Sequence, residues 1–155
     1  MPPAVDNRKI GQILIDRGLI TPMQLEAALG EQGVTGRFFG EILVGRGIVT
    51  EEKIAKALSE QLGFGYVDIR EIILEPKALE KVPRDLCEKH TLIPIYISPS
   101  ALTVAMANAL DVTAIDKVQA ASGMRVRPVF ACASEIRKTI EKTEMKGDGE
   151  GKPKP

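Results

Sequence analysis

The chain has no tryptophan, and phenylalanine and tyrosine make up only 4% of it. That scarcity argues against a stacking platform for single-stranded nucleic acid. Cysteine is also rare. Cys87 and Cys132 form no CxxC, and His90 is the sole histidine. A Cys/His metal site is therefore not expected, and the usage fits a reducing cytoplasm. No sign of charge dominates: 21 Lys+Arg balance 21 Asp+Glu, leaving no global field to draw in nucleic acid or anionic lipid. No apolar run approaches the ~18 residues of a membrane span, and no signal segment opens the chain. The expectation is a cytoplasmic protein without a nucleic-acid partner and without direct membrane insertion, any place at the inner face of a membrane coming through partners. At 155 residues, 44% hydrophobic and 27% charged, it has the size and composition of one soluble domain or two small ones.

What the sequence does have is a stretch written twice, Lys9 to Gln32 and Phe38 to Gln61. At an offset of 29 residues, Gly11, Ile13, Leu14, Arg17 and Gly18 fall on Gly40, Ile42, Leu43, Arg46 and Gly47. Thr21, Ala28, Leu29, Glu31 and Gln32 fall on Thr50, Ala57, Leu58, Glu60 and Gln61. Ten identities in a 24-residue window, where chance gives about one or two, mark an internal repeat. Apolar character is kept at Ile15/Val44, Leu19/Ile48, Ile20/Val49 and Leu25/Ile54. Two copies are too few for a solenoid. A tandem pair suits a ligand or partner with two similar halves.

Each copy reads as a helical hairpin. Apolar spacing from Ile10 predicts a short helix ended by Gly18 as the residue past the cap. Thr21-Pro22 then reads as an N-cap followed by proline at the first helical position, opening a helix to about Gln32 with Leu25, Ala28 and Leu29 on one face. Gly33 to Gly36 is expected to be a turn. In the second copy Thr50 caps a helix whose first turn carries Glu51 and Glu52, and which ends near Leu62-Gly63. Composition changes after that point. Tyr66 to Ile69 reads as a short strand or link, while Pro76 to Leu79 and Pro83 to Lys89 each open with proline, as short helices do. Leu92 to Ser98 and Leu102 to Ala107 predict a β-hairpin around Pro99-Ser100-Ala101, with His90 at a helix C-terminus just before it. Val112 to Ala121 predicts a helix stopped by Gly123. Arg125 to Ala131 alternates as a strand, with Pro128 pointing to an edge position or a bulge, and Ser134 is placed as the cap of a last helix to about Met145. The expected fold is α+β: tandem helical hairpins over residues 1–62, a ββαβα unit over 63–145, and a polar, Gly- and Pro-rich disordered tail over 146–155. Residues 1–7 read as a frayed start.

No nucleophile–base set can be assembled. The tail segment Gly147 to Lys152 is one residue too short for a phosphate loop, has Pro153 where Ser or Thr belongs, and lacks a strand before it and a helix after it. The chain by itself is therefore not expected to be an enzyme. The repeat is the better place for chemistry. Each copy opens with basic residues beside an apolar–Gly pair, Arg8-Lys9-Ile10-Gly11 and Arg37-Phe38-Phe39-Gly40. Glycine there lets a ligand approach the backbone, and amides at a helix start can hold a phosphate. A guanidinium alongside grips a phosphate or the O6/N7 edge of guanine. Apolar residues at 14, 15, 19 and 20, and at 43, 44, 48 and 49, can floor a purine. The same apolar positions also read as hairpin core, and the glycines as caps. Asp111 reads as a helix cap that also faces a loop.

The doubled pattern of basic, apolar and Gly residues, running on through paired apolar positions to a closing Gln, resembles the N-terminal domain of type II secretion and type IV pilus assembly ATPases. This is the MshE-type domain that binds cyclic di-GMP. Leu62 to Asp68, Leu79 to Pro83 and Leu102 to Asp111 extend the resemblance over roughly residues 8–143. It implies a regulatory domain whose ligand is cyclic di-GMP, with no other cofactor and no metal. The implied contacts in the first copy are Arg8, Lys9, Ile10, Gly11, Leu14, Ile15, Gly18, Leu19, Leu25, Leu29 and Gln32. Those in the second are Arg37, Phe39, Gly40, Leu43, Val44, Gly47, Ile48, Ile54, Leu58 and Gln61, with Asp111 closing over the ligand. The implied protein partners are the ATPase motor and the inner-membrane platform protein to which such domains attach. The sequence departs from the pattern at Lys9 and Phe38, where Arg is usual, and at Ile54 and Ala109. Lys lacks the planar fork of Arg. A docking module that binds no nucleotide is accordingly the alternative.

Overall fold

The computed structural model describes residues 7–37 and 39–143. Of residues 1–7, expected to be a frayed start, Asn7 instead begins a helix and 1–6 lie outside the described residues, as do the Phe38 position, the helix end at Met145 and the tail over 146–155. The chain divides between Phe64 and Gly65 into two compact units, and the fold is α+β.

The first unit holds four helices, α1 (Asn7–Asp16), α2 (Pro22–Thr35), α3 (Phe39–Gly45) and α4 (Glu51–Leu62). The repeat is kept in the backbone. Leu19 donates to the carbonyl of Leu14 at 2.9 Å and Gly18 to that of Ile15 at 2.9 Å; Ile48 and Gly47 make the same pair of bonds to Leu43 and Val44. This closing motif needs a left-handed residue at its turn. Gly18 and Gly47 supply it at φ 74° and 73°, at no Cβ cost. Thr21 accepts from the amide of Gln24 while the Gln24 side chain accepts from the Thr21 amide, a complete capping box. Thr50 likewise accepts from Lys53. One expectation fails here. Gly33 to Gly36 is not a turn, because α2 runs on through Gly33 to Thr35 and stops only at Gly36, which takes φ 73°. Each of the two interior glycines, Gly30 and Gly33, costs the helix only ~1 kcal/mol, and the Thr35 hydroxyl adds a bond to the carbonyl of Glu31 at 3.0 Å.

In the second unit, β1 (Gly65–Tyr66), a 3-10 turn at Ile69–Glu71, α5 (Pro76–Leu79) and α6 (Arg84–His90) precede β2 (Leu92–Ile97) and β3 (Leu102–Met106). After them come α7 (Val112–Ser122), β4 (Val126–Phe130) and α8 (Ala133–Lys142). The sheet order is β1-β4-β3-β2, with β2 and β3 the antiparallel hairpin and β4 parallel to both its neighbours. A parallel pair needs a long crossover, and α7 provides it. Leu92, Ile93, Leu102, Val104 and Met106 are enclosed with Val118 and Ile136 in one core.

Two further corrections fall here. β4 lies inside the sheet, so Pro128 is not on an edge strand. It is tolerated because β1 pairs only from Val129 onward, leaving that side of Pro128 outside the β1 ladder. Ser134 is not the cap of α8. The helix starts at Ala133, with Cys132 at the cap position and no side-chain cap bond, and it ends at Lys142. The edge of β2 is covered: Glu75 donates its amide to Ile95 at 2.9 Å and accepts from the Ile97 amide at 2.8 Å.

Candidate functional site

Of the residues expected to form a site, all but Asp111 belong to the first unit. There α1 packs on α4 and α2 on α3, in addition to the contacts inside each hairpin. Each copy therefore completes its packing with a helix of the other. Exchanging the copies exchanges the contacts, as in a pseudo-two-fold pair.

Burial sorts the apolar candidates. Leu14, Leu43, Leu58, Phe39, Ile10, Leu25 and Ile54 are buried, as are Ile20 and Val49. These are the core of the unit, the plainer of the two readings that the sequence leaves open. Ile15 and Leu19 in the first copy stay half-buried, and so do their equivalents Val44 and Ile48. Leu29 is half-buried too. The apolar floor available to a ligand is thus the outer pairs, Ile15 with Leu19 and Val44 with Ile48.

The glycines are not equivalent. A Cβ on Gly11 would stand 2.3 Å from Leu25 Cδ1, so the space is already taken by α2; on Gly40 the nearest atom would be Ile54 Cδ1 at 3.8 Å. Of this pair, Gly40 alone, half-buried, leaves its backbone approachable. It is the second residue of a seven-residue helix, whose macrodipole is correspondingly small. Gly18 and Gly47 are exposed and serve the helix ends.

The arginines of the site face carboxylates of the same unit. Arg8 donates two bonds to Glu26, at 2.9 and 3.4 Å. The Arg8 guanidinium, through those bonds and its charge, holds the Glu26 carboxyl below its ordinary value of 4.5. Arg46 donates to Glu31 through Nε at 2.9 Å, with its Nη2 2.7 Å from the same oxygen as an ion pair, while Arg37 Nη1 lies 3.9 Å from the other oxygen of Glu31. Arg37 is turned along α3: its Nη2 is 3.9 Å from where a Cβ would stand on Gly45, the last residue of that helix, rather than at Gly40. Lys9 is exposed. Gln32 donates to the carbonyl of Arg37 at 3.2 Å, and Gln61 accepts from Arg17 at 3.4 Å.

Asp111 sits in the second unit, at the N-cap of α7, where its carboxylate accepts from the Ala114 amide at 3.1 Å. Its other oxygen is 4.0 Å from Nδ1 of His90. His90 ends α6, as its place in the sequence implies. Burial, the largest influence on it, pushes its imidazole below the ordinary value of 6.5. No cluster of three or more metal-binding side chains occurs among the described residues, and no helix among them is long and apolar enough to cross a membrane.

The partners Glu26 and Glu31 were not anticipated. Glu31 carried a signal, since it falls on Glu60 in the repeat. Glu26 carried none, because Ala55 stands at its equivalent.

The chain matches the MshEN domain family over residues 62–150, from the last residue of α4 onward. It is 31% identical over 134 residues to the type IV pilus assembly ATPase PilB of Myxococcus xanthus (strain DK1622), covering 86% of this chain but only 24% of that protein. In fold it is similar to the solved structure of MshE with cdg, at a TM-score of 0.72 and 23% identity over 87% of this chain and 98% of the other. The N-terminal domain of XpsE is similar at a TM-score of 0.74 and 22% identity, covering 95% of this chain and all of that domain (100%).

Proposed function

The chain belongs to the MshEN domain family, and on that premise we propose that it is a regulatory receptor for cyclic di-GMP that acts on a secretion or pilus ATPase. The observation that carries the reading is the duplication made three-dimensional. Two equivalent copies each offer a basic residue at the same position, Arg8 and Arg37, and an equivalent half-buried apolar pair. A ligand with two like halves and two phosphates matches that arrangement: the apolar pairs meet the bases, and the guanidiniums meet phosphate or a guanine edge. The MshE structure with cdg, read as cyclic di-GMP, supports the same ligand. The proposed contacts are Arg8, Lys9, Ile15, Leu19, Gln32, Arg37, Gly40, Val44 and Ile48, all in the first unit.

The test is calorimetric titration of cyclic di-GMP, with the linear dinucleotide as control. Arg37→Ala is expected to weaken binding about ten- to a hundredfold, the loss of one charge-assisted contact of roughly 1.5–3 kcal/mol. Lys9→Arg is expected to tighten it by restoring the fork.

A second reading, docking to an inner-membrane platform protein without nucleotide, is favoured by the space at Gly11 already filled by Leu25 and by Lys9 in place of Arg. Absence of saturable binding by the wild type near ~100 μM, a free energy weaker than about 5.5 kcal/mol, selects that reading.

A further inference from the structure

In both copies the arginine offered to a ligand already has an anionic partner, and in the second copy that partner is shared. Glu31 takes a hydrogen bond and a close ion-pair contact from Arg46 on one oxygen and faces Arg37 across 3.9 Å with the other. The carboxylate is only 26% exposed, while Arg37 is 53% exposed. The better-anchored partner is thus the glutamate, fixed by Arg46 from just past the end of α3, and the arginine is the part able to move. Its guanidinium lies toward Gly45, at the far end of α3 from Gly40. The five-residue separation of those glycines corresponds to roughly 7–8 Å along a helix axis. So placed, the guanidinium is not among the atoms within 4 Å of a Cβ at Gly40.

We propose that Glu31 is a counterion gate for the second half-site, holding Arg37 away from Gly40 until a ligand anion displaces it. The proposal rests on the receptor reading above and concerns how that site is regulated and made selective. A gate of this kind weakens by a modest factor the binding of any anion that must free Arg37, and a ligand anchored at the same time on the apolar pairs and on the first copy readily offsets that cost. Glu31 also joins the copies, since it lies on α2 while Arg37 and Arg46 flank α3. Release of Arg37 leaves the Arg46 bonds in place, so opening the gate does not loosen the packing of α2 on α3. Exposed ion pairs of this type contribute about 0.2–1 kcal/mol, which sets the expected effect at about a one-and-a-half- to fivefold change in dissociation constant.

The experiment compares the full chain with Glu31→Gln, Arg37→Ala, the double variant, and Glu60→Gln. Glu60 is the repeat equivalent of Glu31 and pairs with Arg17 at 2.6 Å, so it controls for loss of a cross-copy ion pair as such. Cyclic di-GMP is titrated into each, and the guanidinium resonances of Arg37 are recorded without nucleotide. Glu31→Gln is expected to tighten binding about one-and-a-half- to fivefold. That gain should vanish in the Arg37→Ala background and should not appear in Glu60→Gln. Equal or weaker binding by Glu31→Gln, or a gain that survives without Arg37, overturns the gate while wild-type binding keeps the receptor reading standing. If no variant binds, the receptor reading falls, and the nuclear resonances still decide whether Glu31 holds Arg37. Their shift in Glu31→Gln alone supports the restraint, and unchanged resonances reject it.

Discussion

The guanidinium of Arg17, in the first copy, lies 2.6 Å from the carboxylate of Glu60, in the second. Arg46 and Glu31 repeat that bond at 2.7 Å with the copies exchanged. Four of the residues that the duplication preserves are therefore preserved as clasps between the copies. Both pairs sit at the surface, where an ion pair contributes little. A double-mutant cycle with Arg17→Ala and Glu60→Ala is expected to give a coupling of ~0.2–1 kcal/mol, shrinking with added salt. A coupling that is zero at low salt contradicts the clasp.

Gly11 and Gly40 occupy equivalent positions but should respond to alanine in opposite ways. At Gly11 the new methyl meets buried Leu25 at 2.3 Å, and overpacking of this kind costs ~1–3 kcal/mol. At Gly40 the nearest atom stands at ordinary contact distance, 3.8 Å, so reduced freedom of the unfolded chain should stabilise by ~0.4–1 kcal/mol. Urea unfolding of the two variants measures both signs. If the cyclic nucleotide approaches the backbone at Gly40, the same alanine weakens binding while it raises stability.

Cys87 and Cys132 should differ sharply in reactivity. Burial, with the charges of Asp85 and Glu88 adding to it, pushes the Cys87 thiol up to about 12, and no part of the residue is exposed. Thiolate is the reactive form. A thiol reagent applied to the native protein near neutral pH should label the half-buried Cys132 and leave Cys87 untouched until denaturant is added. Peptide mapping after brief labelling checks this.

Acid should act in two steps. His90 is lowered from 6.5 mainly by burial, with Lys117 and Lys89 pushing the same way and Asp111 opposing them. Below 6.5 the unfolded chain takes up the proton before the folded one does, so stability falls as pH drops from 6.5 toward the folded value. The Glu26 carboxyl, lowered by Arg8 from 4.5, stabilises the fold above 4.5 and loses that effect only as pH falls further. Melting temperatures of the wild type and His90→Asn across pH 4.5–7.5 should converge toward the acid end, because the variant lacks the first step. Parallel curves would sink the assignment.

Local chemistry made much of the architecture legible. Thr21-Pro22, Thr50 and Gly18 act within a few residues of themselves, so the helix ends they imply appear where the sequence puts them. The hairpin of β2 and β3 was equally plain, because alternation and a Pro-containing turn are local signals. Ser134 misled because its side chain suits a cap, whereas the helix it enters had already begun at Ala133. Gly33 misled because one weak residue does not end a helix that its neighbours continue.

The sequence by itself determined that there are two like copies, that each is a helical hairpin, and that an arginine stands at the head of each. Periodicity, capping and identity at a fixed offset are properties of a chain read along its length. Only the tertiary structure decided which apolar residues are core and which stay half-buried, since Leu14 and Ile15 are neighbours that differ solely in the direction they face. It also decided that Leu25 fills the space at Gly11, and that Glu31 holds Arg46 across the copies with Arg37 near its other oxygen. Those are contacts between helices, set by how the two hairpins pack against one another, and the offset that reveals the repeat carries no information about that packing.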